Sequence, residues 1–129
     1  MTTTDTVELA GIGQIAVVVR DVDRAERFYR DALSLRHLFR APVDLTFFEC
    51  GGVRLMLSRA ESPEFAHASS ILYFTVAGIE RVHAVLSGRG VVFRDAPHVV
   101  ADLGTRVLWL AFFEDGEGNV LALMEEKAK

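Results

Sequence analysis

The order of hydrophobic and polar positions predicts a strand and then a helix at the start of the chain. Residues 12–19 are apolar and rich in valine and isoleucine, with Gln14 as the single amide side chain, which predicts a strand. The hydrophobic period then becomes helical, with an apolar stripe formed by Ala25, Phe28, Tyr29, Ala32 and Leu33. We expect Asp23 to cap this helix, with Glu26 as its capping-box partner.

Three shorter apolar runs follow this helix and predict strands at about 35–41, 44–50 and 53–58. Gly51-Gly52 lies between the last two runs, and a pair of glycines is typical of a two-residue hairpin turn. Such a turn fixes which residues lie opposite each other. The predicted cross-strand pairs are Cys50 with Val53, Glu49 with Arg54, Phe48 with Leu55, and Phe47 with Met56.

The same succession of patterns recurs 57 positions later, so that Ile15 corresponds to Leu72 and Val19 to Val76. A second helix follows, with Ile79, Val82, Val85 and Leu86 predicted to face inward. Further strands are expected at about 91–101, 105–113 and 119–125. Two β-α-β-β-β modules are therefore predicted, the first at about 12–58 and the second at about 70–126, with a linker at 59–69.

This order predicts an α+β fold in one domain, in which the two modules form a half-open, curled mixed sheet around a cavity. The helices would cover one face of each sheet, and the other face would line the concavity. Strand alternation assigns to the concave face Gln14, Ala16, Val18, Ile71, Tyr73, Thr75, Val120, Ala122 and Met124. Trp109 is in phase with Ala111 and Phe113, and the pattern leaves their face open.

The composition narrows the possible classes of function. The chain has 129 residues, which suit one compact domain, and half of them are hydrophobic, with a mean hydropathy of +0.25. This apolar content favours an oligomer, although a buried apolar cavity would give the same composition. The formal net charge of −4 provides no basic stripe for nucleic acid. The longest apolar run, residues 107–113, is too short to span a bilayer.

The start of the chain and its cysteine content predict a location. MTTTDTVE lacks the regions of a secretory signal and is expected to be a frayed polar tail. Cys50 is the single cysteine, which excludes an internal disulfide, and we expect it to be a small buried hydrophobic residue. We therefore expect a cytoplasmic protein whose partner is a small molecule, with neither nucleic acid nor a membrane as partner.

Two segments resemble patterns of the vicinal oxygen chelate superfamily, which includes glyoxalase I, bleomycin resistance proteins, extradiol dioxygenases and methylmalonyl-CoA epimerase. AVVVRDVDRAERFYRDALSL is similar to the strand, D-hydrophobic and F-Y-x-x-x-L-G-L pattern of that family, with Ser34 where Gly is usual. WLAFFEDGEGNVLALMEE is similar to its F-x-D-P-x-G-N pattern and closing strand, with Gly116 where Pro is usual. The resemblance covers about 12–126 and implies the glyoxalase/bleomycin resistance/dihydroxybiphenyl dioxygenase fold, usually as a dimer.

The resemblance also implies where a divalent metal would be bound in catalytic members, on the first and last strand of each module. The matching positions here are Gln14, Met56, Ile71 and Ala122. An amide oxygen can bind a metal, whereas Ile71 and Ala122 have no donor and Met56 offers a soft thioether. We therefore expect no metal and no cofactor. A register slip of one residue would bring Glu125 or Tyr73 nearer to the site.

Three classes of function remain open at this point. The first is a metal-free protein of the bleomycin-resistance type that binds a small organic molecule in an apolar cavity. Its expected ligand-binding residues are Gln14, Arg54, Met56, Ile71, Tyr73, Trp109 and Ala122. The second is an enzyme, a lyase, isomerase, epimerase or dioxygenase. The third is an interaction module in which the cavity has no ligand.

An enzyme could act without metal through His98 or Glu49 as acid-base groups, or with metal if the register differs. Each of these residues also has a plainer interpretation. Glu49 and Arg54 would form a weak cross-strand ion pair near the hairpin turn, and His98 would be a solvated loop residue. The remaining histidines, His37, His67 and His83, are expected on loops or on the helix surface.

Overall fold

Two similar units of strand, helix and further strands make up the fold in the computed structural model, which describes residues 7, 10–60, 66, 67 and 69–129. The first unit contains β1 (Gln14–Val18), α1 (Val22–Arg27), β2 (Arg36–Ala41), β3 (Leu45–Cys50) and β4 (Val53–Ser58). The second unit contains β5 (Leu72–Thr75), α2 (Ile79–Gly88), β6 (Val92–Phe93), β7 (His98–Asp102), β8 (Arg106–Glu114) and β9 (Val120–Ala128). The polar start and most of the predicted linker lie outside the described residues.

Each unit forms one open mixed sheet with the same strand arrangement. The first sheet has the order β1-β4-β3-β2, and the second has the order β5-β9-β8-β6, with β7 also paired to β8. The first strand of each unit runs parallel to the last strand, whereas the other pairs are antiparallel. The predicted α+β class is confirmed, and β1 and β5 are sheet edges.

The hairpin between β3 and β4 has the register that its turn predicts. Glu49 lies opposite Arg54, and Phe47 lies opposite Met56. Gly51 and Gly52 have φ values of +57° and +88°, which L-residues with a side chain rarely adopt. The two glycines therefore allow the tight turn that sets every pair along the hairpin.

The first helix begins earlier than the sequence pattern indicated. Its N-cap is Asp21, whose side chain accepts a hydrogen bond from the Arg24 backbone N–H at 3.0 Å, so the prediction of Asp23 as the cap is wrong. The backbone of Asp21 is extended, which suits a cap directly after a strand. The helix then continues as a π-helical turn over Phe28–Ala32, which keeps Tyr29 buried.

The predicted strand at 91–101 is two strands, β6 and β7, because the ladder is interrupted between them. The Asp95 carboxylate accepts the Phe112 backbone N–H at 2.9 Å and so takes the place of a backbone acceptor. Pro97 follows and has no N–H to donate. His98 consequently begins a separate strand rather than lying on a loop.

The helices and one face of each sheet share a single core. Val17, Phe48, Phe113 and Leu121 are buried in it together with Tyr29. From α2, Ile79 and Leu86 are buried, whereas Val85 is 39% exposed, so its predicted inward position is wrong. The reason is the 3.6-residue period, which turns position 85 away from the face of 79 and 86. In the described part of the chain, neither helix is long and apolar enough to cross a membrane.

A buried polar loop between β8 and β9 fastens the second unit to the first; we call Asp115, Glu117 and Asn119 the polar clasp. The Asp115 carboxylate accepts from the Tyr29 hydroxyl at 2.8 Å and from the Asn119 side-chain amide at 2.8 Å. That same amide donates to the Val18 carbonyl at 2.9 Å. All three clasp residues are buried, so these hydrogen bonds satisfy groups that would otherwise be costly to desolvate.

Glu117, the third clasp residue, binds the backbone of the two residues that follow Val19. Its carboxylate accepts the backbone N–H groups of Arg20 and Asp21 at 2.7 and 2.9 Å, and it pairs with the Arg24 guanidinium. Burial raises the pKa of Glu117, but the hydrogen bonds from Arg24 and the two backbone N–H groups outweigh burial and lower the pKa overall. The carboxylate is therefore held ionised in the folded chain.

The two departures from the usual family pattern have visible structural consequences. Ser34, at a position where Gly is usual, has a φ of +61°, and its hydroxyl accepts from Arg89 at 3.0 Å. Gly116, where Pro is usual, has a φ of +76°, which a proline ring forbids. The clasp loop therefore has a backbone conformation that the usual proline would exclude.

Candidate ligand-binding face

A small polar cluster formed by Gln14, Arg54 and Met56 lies on the face of the first sheet that is turned away from the shared core. We call this face, and the equivalent face of the second sheet, the concave face, after the sequence prediction. Gln14 and Arg54 are neighbours in the parallel β1–β4 ladder. The Arg54 Nε donates to Gln14 Oε1 at 2.8 Å, and Gln14 Nε2 lies 3.7 Å from the Met56 sulfur. Gln14 and Arg54 are exposed and Met56 is half-buried, so the cluster faces solvent in the single chain.

Two stacked phenylalanines form an aromatic surface beside this cluster. Phe47 and Phe39 have ring centroids 4.5 Å apart and nearly parallel planes. The Arg54 guanidinium carbon lies 5.2 Å from the centroid of the Phe47 ring, which is within the range of a cation–π contact. Phe47 is buried while Phe39 is 44% exposed, so the outer ring of the stack remains open to a ligand.

The second sheet presents apolar groups at the equivalent positions. Tyr73 lies opposite Ala122 in the parallel β5–β9 ladder, as Ala16 lies opposite Met56 in the first sheet. The Tyr73 ring is 6.1 Å from the Phe112 ring in an edge-to-face arrangement and is 47% exposed. Ile71 precedes β5 and is 43% exposed, whereas Ala122 is fully buried.

Trp109 lies on the helix side of β8. Its ring packs against the shared core, and the Lys127 ammonium lies 4.4 Å from the ring centroid. Alternation along β8 puts Leu110 and Phe112 on the other face. The structure therefore does not bring Trp109 together with Gln14, Arg54 and the other predicted ligand-binding residues.

The two predicted acid-base residues lie on different sheets. Glu49 accepts the Gly52 backbone N–H at 2.7 Å, and although it is opposite Arg54, that arginine donates to Gln14 instead. His98 begins β7, opposite Leu110, with Nδ1 2.9 Å from the Ala96 carbonyl oxygen and 3.7 Å from the nearer Asp95 carboxylate oxygen. Each group is engaged locally near its own turn.

The donor chemistry at the four family metal positions does not fit a catalytic metal. Gln14, Met56, Ile71 and Ala122 offer one amide and one thioether, and the amide oxygen already accepts from Arg54. Within residues 10–60 and 69–129, no three His, Cys, Asp or Glu side chains are grouped closely enough to hold a metal ion.

A shift of one residue in the register would have brought Glu125 near the metal positions, but its carboxylate lies elsewhere. Glu125 accepts the backbone N–H groups of Gly78 and Ile79 at 2.8 and 2.9 Å, which caps the start of α2. These two hydrogen bonds lower the pKa of Glu125 and keep it on the helix side of β9. Tyr73 lies on the opposite face of the second sheet, where it is 47% exposed.

An apolar cavity of about 630 Å³ lies at a different place, where the β3–β4 hairpin meets β5 and α2. Its walls include Leu33, Cys50, Val82 and Leu86, and of the predicted ligand-binding residues only Tyr73 contributes. Burial raises the pKa of the Cys50 thiol, and the charge of Glu49 adds to that effect. The thiol is therefore protonated and unreactive at neutral pH.

A polar cluster on the outer side of the first unit was not found from the sequence. Glu26 accepts from Arg40 Nε at 2.8 Å and from the Thr46 hydroxyl at 2.7 Å, and His37 Nε2 lies 2.9 Å from both Glu26 and Thr46. The hydrogen bond from Arg40 is the main reason that the pKa of Glu26 falls to about 2. His37 of β2 is thus half-buried against α1 and β3 rather than free on the surface. This position depends on the fold and has no local sequence signal.

The two open mixed sheets have the same strand order, and each follows the order strand, helix and further strands. The chain is therefore an α+β protein built from two repeated β-α-β-β-β units. A family model described as the Glyoxalase/Bleomycin resistance protein/Dioxygenase superfamily matches residues 11–123. The chain belongs to this superfamily, as its sequence resemblance implied. A comparison with curated protein sequences gave no significant match.

Solved structures share the fold at low sequence identity. A superfamily member from Sphaerobacter thermophilus has a TM-score of 0.77 and 20% identity, covering 92% of this chain and 98% of its own. A lactoylglutathione lyase from Agrobacterium tumefaciens has a TM-score of 0.67 and 22% identity, covering 90% and 93%. A virulence protein from Salmonella typhimurium has a TM-score of 0.74 and 17% identity, covering 92% and 98%. At these identities the likeness shows the fold alone.

Proposed function

We propose that the chain binds a small organic molecule on its concave face without a metal ion, with Gln14 and Arg54 orienting the molecule and Met56 and Tyr73 lining its site. The observation that carries this proposal is the hydrogen bond from Arg54 Nε to Gln14 Oε1, 2.8 Å long. Gln14 Oε1 is the one side-chain oxygen at the four family metal positions, and it accepts this hydrogen bond from a guanidinium. A metal ion at that oxygen would be repelled by the positive charge of the guanidinium.

The exposed apolar groups of the concave faces support binding of an organic ligand. Phe39, Ile71 and Tyr73 are 44%, 43% and 47% exposed, and their apolar surface would be removed from water when an organic ligand binds against it. A second copy of the chain would cover part of this surface, and we propose a homodimer for that reason. The lack of a second cysteine fits the reducing cytoplasm, where we propose that the protein works.

Metal content and ligand binding test this proposal together. Protein purified without chelators is expected to contain far less than one metal ion per chain by mass spectrometry. Ligand-observed NMR with a library of small aromatic compounds is expected to give hits that EDTA does not change. Near-stoichiometric nickel, zinc, manganese or cobalt, or hits that require one of these ions, would contradict the proposal.

A matched pair of variants locates the site. Met56→Trp places a bulky ring on the concave face and is expected to abolish the hits. Val85→Trp adds the same ring to the exposed surface of α2 and is expected to leave them unchanged. Hits that persist in Met56→Trp would show that binding occurs elsewhere on the molecule.

A further inference from the structure

The geometry of the first sheet points to a specific ligand class: we infer that the Arg54 guanidinium serves as the fixed cation of this face and binds the carboxylate of a small aromatic acid. This inference rests on the proposed function and names the chemistry of its ligand. Arg54 takes the role that a bound metal would have elsewhere, as the positive group that attracts and orients ligand oxygens.

Arg54 is held in place before any ligand arrives. Its backbone N–H donates to the Gly13 carbonyl at 3.0 Å, and its Nε donates to Gln14 Oε1. One face of the guanidinium lies over the Phe47 ring. The strand hydrogen bond holds the backbone of Arg54, while the Nε bond and the ring contact hold its guanidinium. Such a side chain loses little rotational freedom when a ligand binds, which makes it a better anion site than a mobile surface arginine.

The groups that remain free on Arg54 are the pair suited to a carboxylate. With Nε engaged by Gln14, the two Nη groups have no hydrogen-bond acceptor among the residues that the structure describes. They form the end-on edge of the guanidinium fork, where two parallel N–H donors match the two oxygens of a carboxylate. A single acceptor oxygen would use only half of this edge.

The local charge is positive although the whole chain carries a formal net charge of −4. Along the paired strands Glu49 lies opposite Arg54 on one side and opposite Arg36 on the other, so that two guanidiniums flank one carboxylate. Glu49 itself is turned to the Gly52 N–H. An anionic ligand therefore meets a net positive patch on this face.

The aromatic stack next to Arg54 selects a planar ring. Phe39 is stacked on Phe47 and exposes its outer face, and Met56 lies opposite Phe47 with a polarisable sulfur. A ring placed against this surface would have its carboxylate within reach of the Arg54 fork. An aromatic carboxylate satisfies both features, whereas an aliphatic phosphate or a neutral arene satisfies only one.

Benzoate and benzamide form the probe pair that tests this inference. Both have the same ring and nearly the same size, but only benzoate is charged. By NMR titration, wild-type protein is expected to bind benzoate about tenfold more tightly than benzamide or better, as charge-assisted hydrogen bonds predict. Arg54→Gln should remove this preference, whereas Arg106→Gln, an exposed arginine of the second sheet, should keep it.

Gln14→Glu provides an independent test because it keeps the bond to Arg54 and adds a negative charge. This variant is expected to lose the benzoate preference as fully as Arg54→Gln. A benzoate preference that persists in Gln14→Glu would overturn the inference, because a negative charge beside Arg54 would then have no effect on the bound carboxylate.

The outcomes separate the inference from the proposed function. Equal affinities for benzoate and benzamide, or an unchanged preference in Arg54→Gln, would overturn the carboxylate inference while the metal-free ligand site stands. If neither probe binds wild-type protein at millimolar concentration, the inference is overturned because this face does not accept an aromatic acid. Bound metal at one equivalent would overturn the proposed function itself.

Discussion

The two units of this chain meet at two equivalent junctions, and the contacts at these junctions differ. At one junction, the end of β1 and the helix residue Tyr29 contact the polar clasp between β8 and β9. At the other, the end of β5 and Leu86, which is 57 positions after Tyr29, face the Gly51-Gly52 hairpin across a cavity of about 630 Å³. The repeat therefore places a contact made by buried hydrogen bonds and an apolar cavity at matching sites.

The difference between the junctions comes from loop length and from one side chain. The loop from 115 to 119 is long enough to reach the other unit and carries three buried polar residues, whereas the two-glycine turn has no side chain to fill its junction. Tyr29 offers a hydroxyl to Asp115, and Leu86 has no polar atom. A duplicated fold can thus keep its strand order while its two junctions differ: one contains buried polar side chains, and the other has an apolar cavity, with Arg89 donating to Ala32 and Ser34.

Removing the centre of the clasp should have the largest effect on the free energy of unfolding. Asp115→Ala leaves the Tyr29 hydroxyl and the Asn119 amide without their buried acceptor, and also frees two backbone N–H groups. We expect a loss of more than about 3 kcal/mol, measured by urea denaturation. Asp95→Ala, which removes one acceptor, should cost about 1 kcal/mol. An equal loss of unfolding free energy in the two variants would show that the Asp115 carboxylate contributes no more than a single hydrogen-bond acceptor does.

Acid should weaken the clasp junction through Glu117. Because its pKa is lower in the folded chain than the ordinary value of 4.5, ionised Glu117 stabilises the fold fully above about pH 4.5. That contribution is lost as the pH falls through the lowered folded-state pKa. Glu117→Gln is expected to cost about 1–3 kcal/mol at pH 7 and to flatten the decline in stability below pH 4.5. A decline as steep as that of the wild-type protein would assign the acid sensitivity to other carboxylates, with Glu26 as the first candidate.

Filling the open junction should have a small effect of the opposite sign. Leu86→Phe extends a side chain toward the cavity, and we expect a change between no effect and about 1 kcal/mol of stabilisation. The matched control is Leu57→Phe, because Leu57 is fully buried and does not line the cavity. Overpacking there should cost about 1–3 kcal/mol. A comparable loss in Leu86→Phe would mean that the cavity is closed in solution.

The reactivity of the Cys50 thiol measures access to the same junction and requires no substitution there. Cys50 lines the cavity, and burial raises its pKa, so alkylation by iodoacetamide at pH 8 should be slower than in urea-denatured protein. The rate should rise as the pH approaches the raised pKa. Leu86→Phe should slow the reaction further by narrowing the access. Folded and denatured chains reacting at the same rate would place the thiol outside the cavity.

Local patterns were enough to predict much of the fold. The register of the β3–β4 hairpin follows from Gly51-Gly52, since a two-residue turn fixes every pair beyond it. The concave positions of Gln14 and Tyr73 follow from strand alternation. The cap of α1 was predicted two residues late because Asp21 and Asp23 are both suitable side chains, and only the exit of β1 decides between them.

Polar partnerships between distant residues could not be predicted in the same way. The sequence shows Glu117, Glu125 and Glu26 as three glutamates, while the fold makes them a clasp residue, a helix cap and the centre of an ion-pair cluster. For Glu117, the partner Arg20 is 97 positions away. No periodicity over a strand or a helix contains information about a contact at that separation.

By itself, the sequence determined the elements, the repeat and the faces of the strands, because turn geometry and side-chain alternation act between near neighbours. Only the tertiary structure decided that Gln14 pairs with Arg54 and that Trp109 lies on the helix side of its sheet. It also decided that one junction is joined by buried hydrogen bonds while the other contains an apolar cavity. Those outcomes depend on which side chains packing brings within about 3 Å of each other, a distance scale at which hydrogen bonds form and which sequence spacing does not encode.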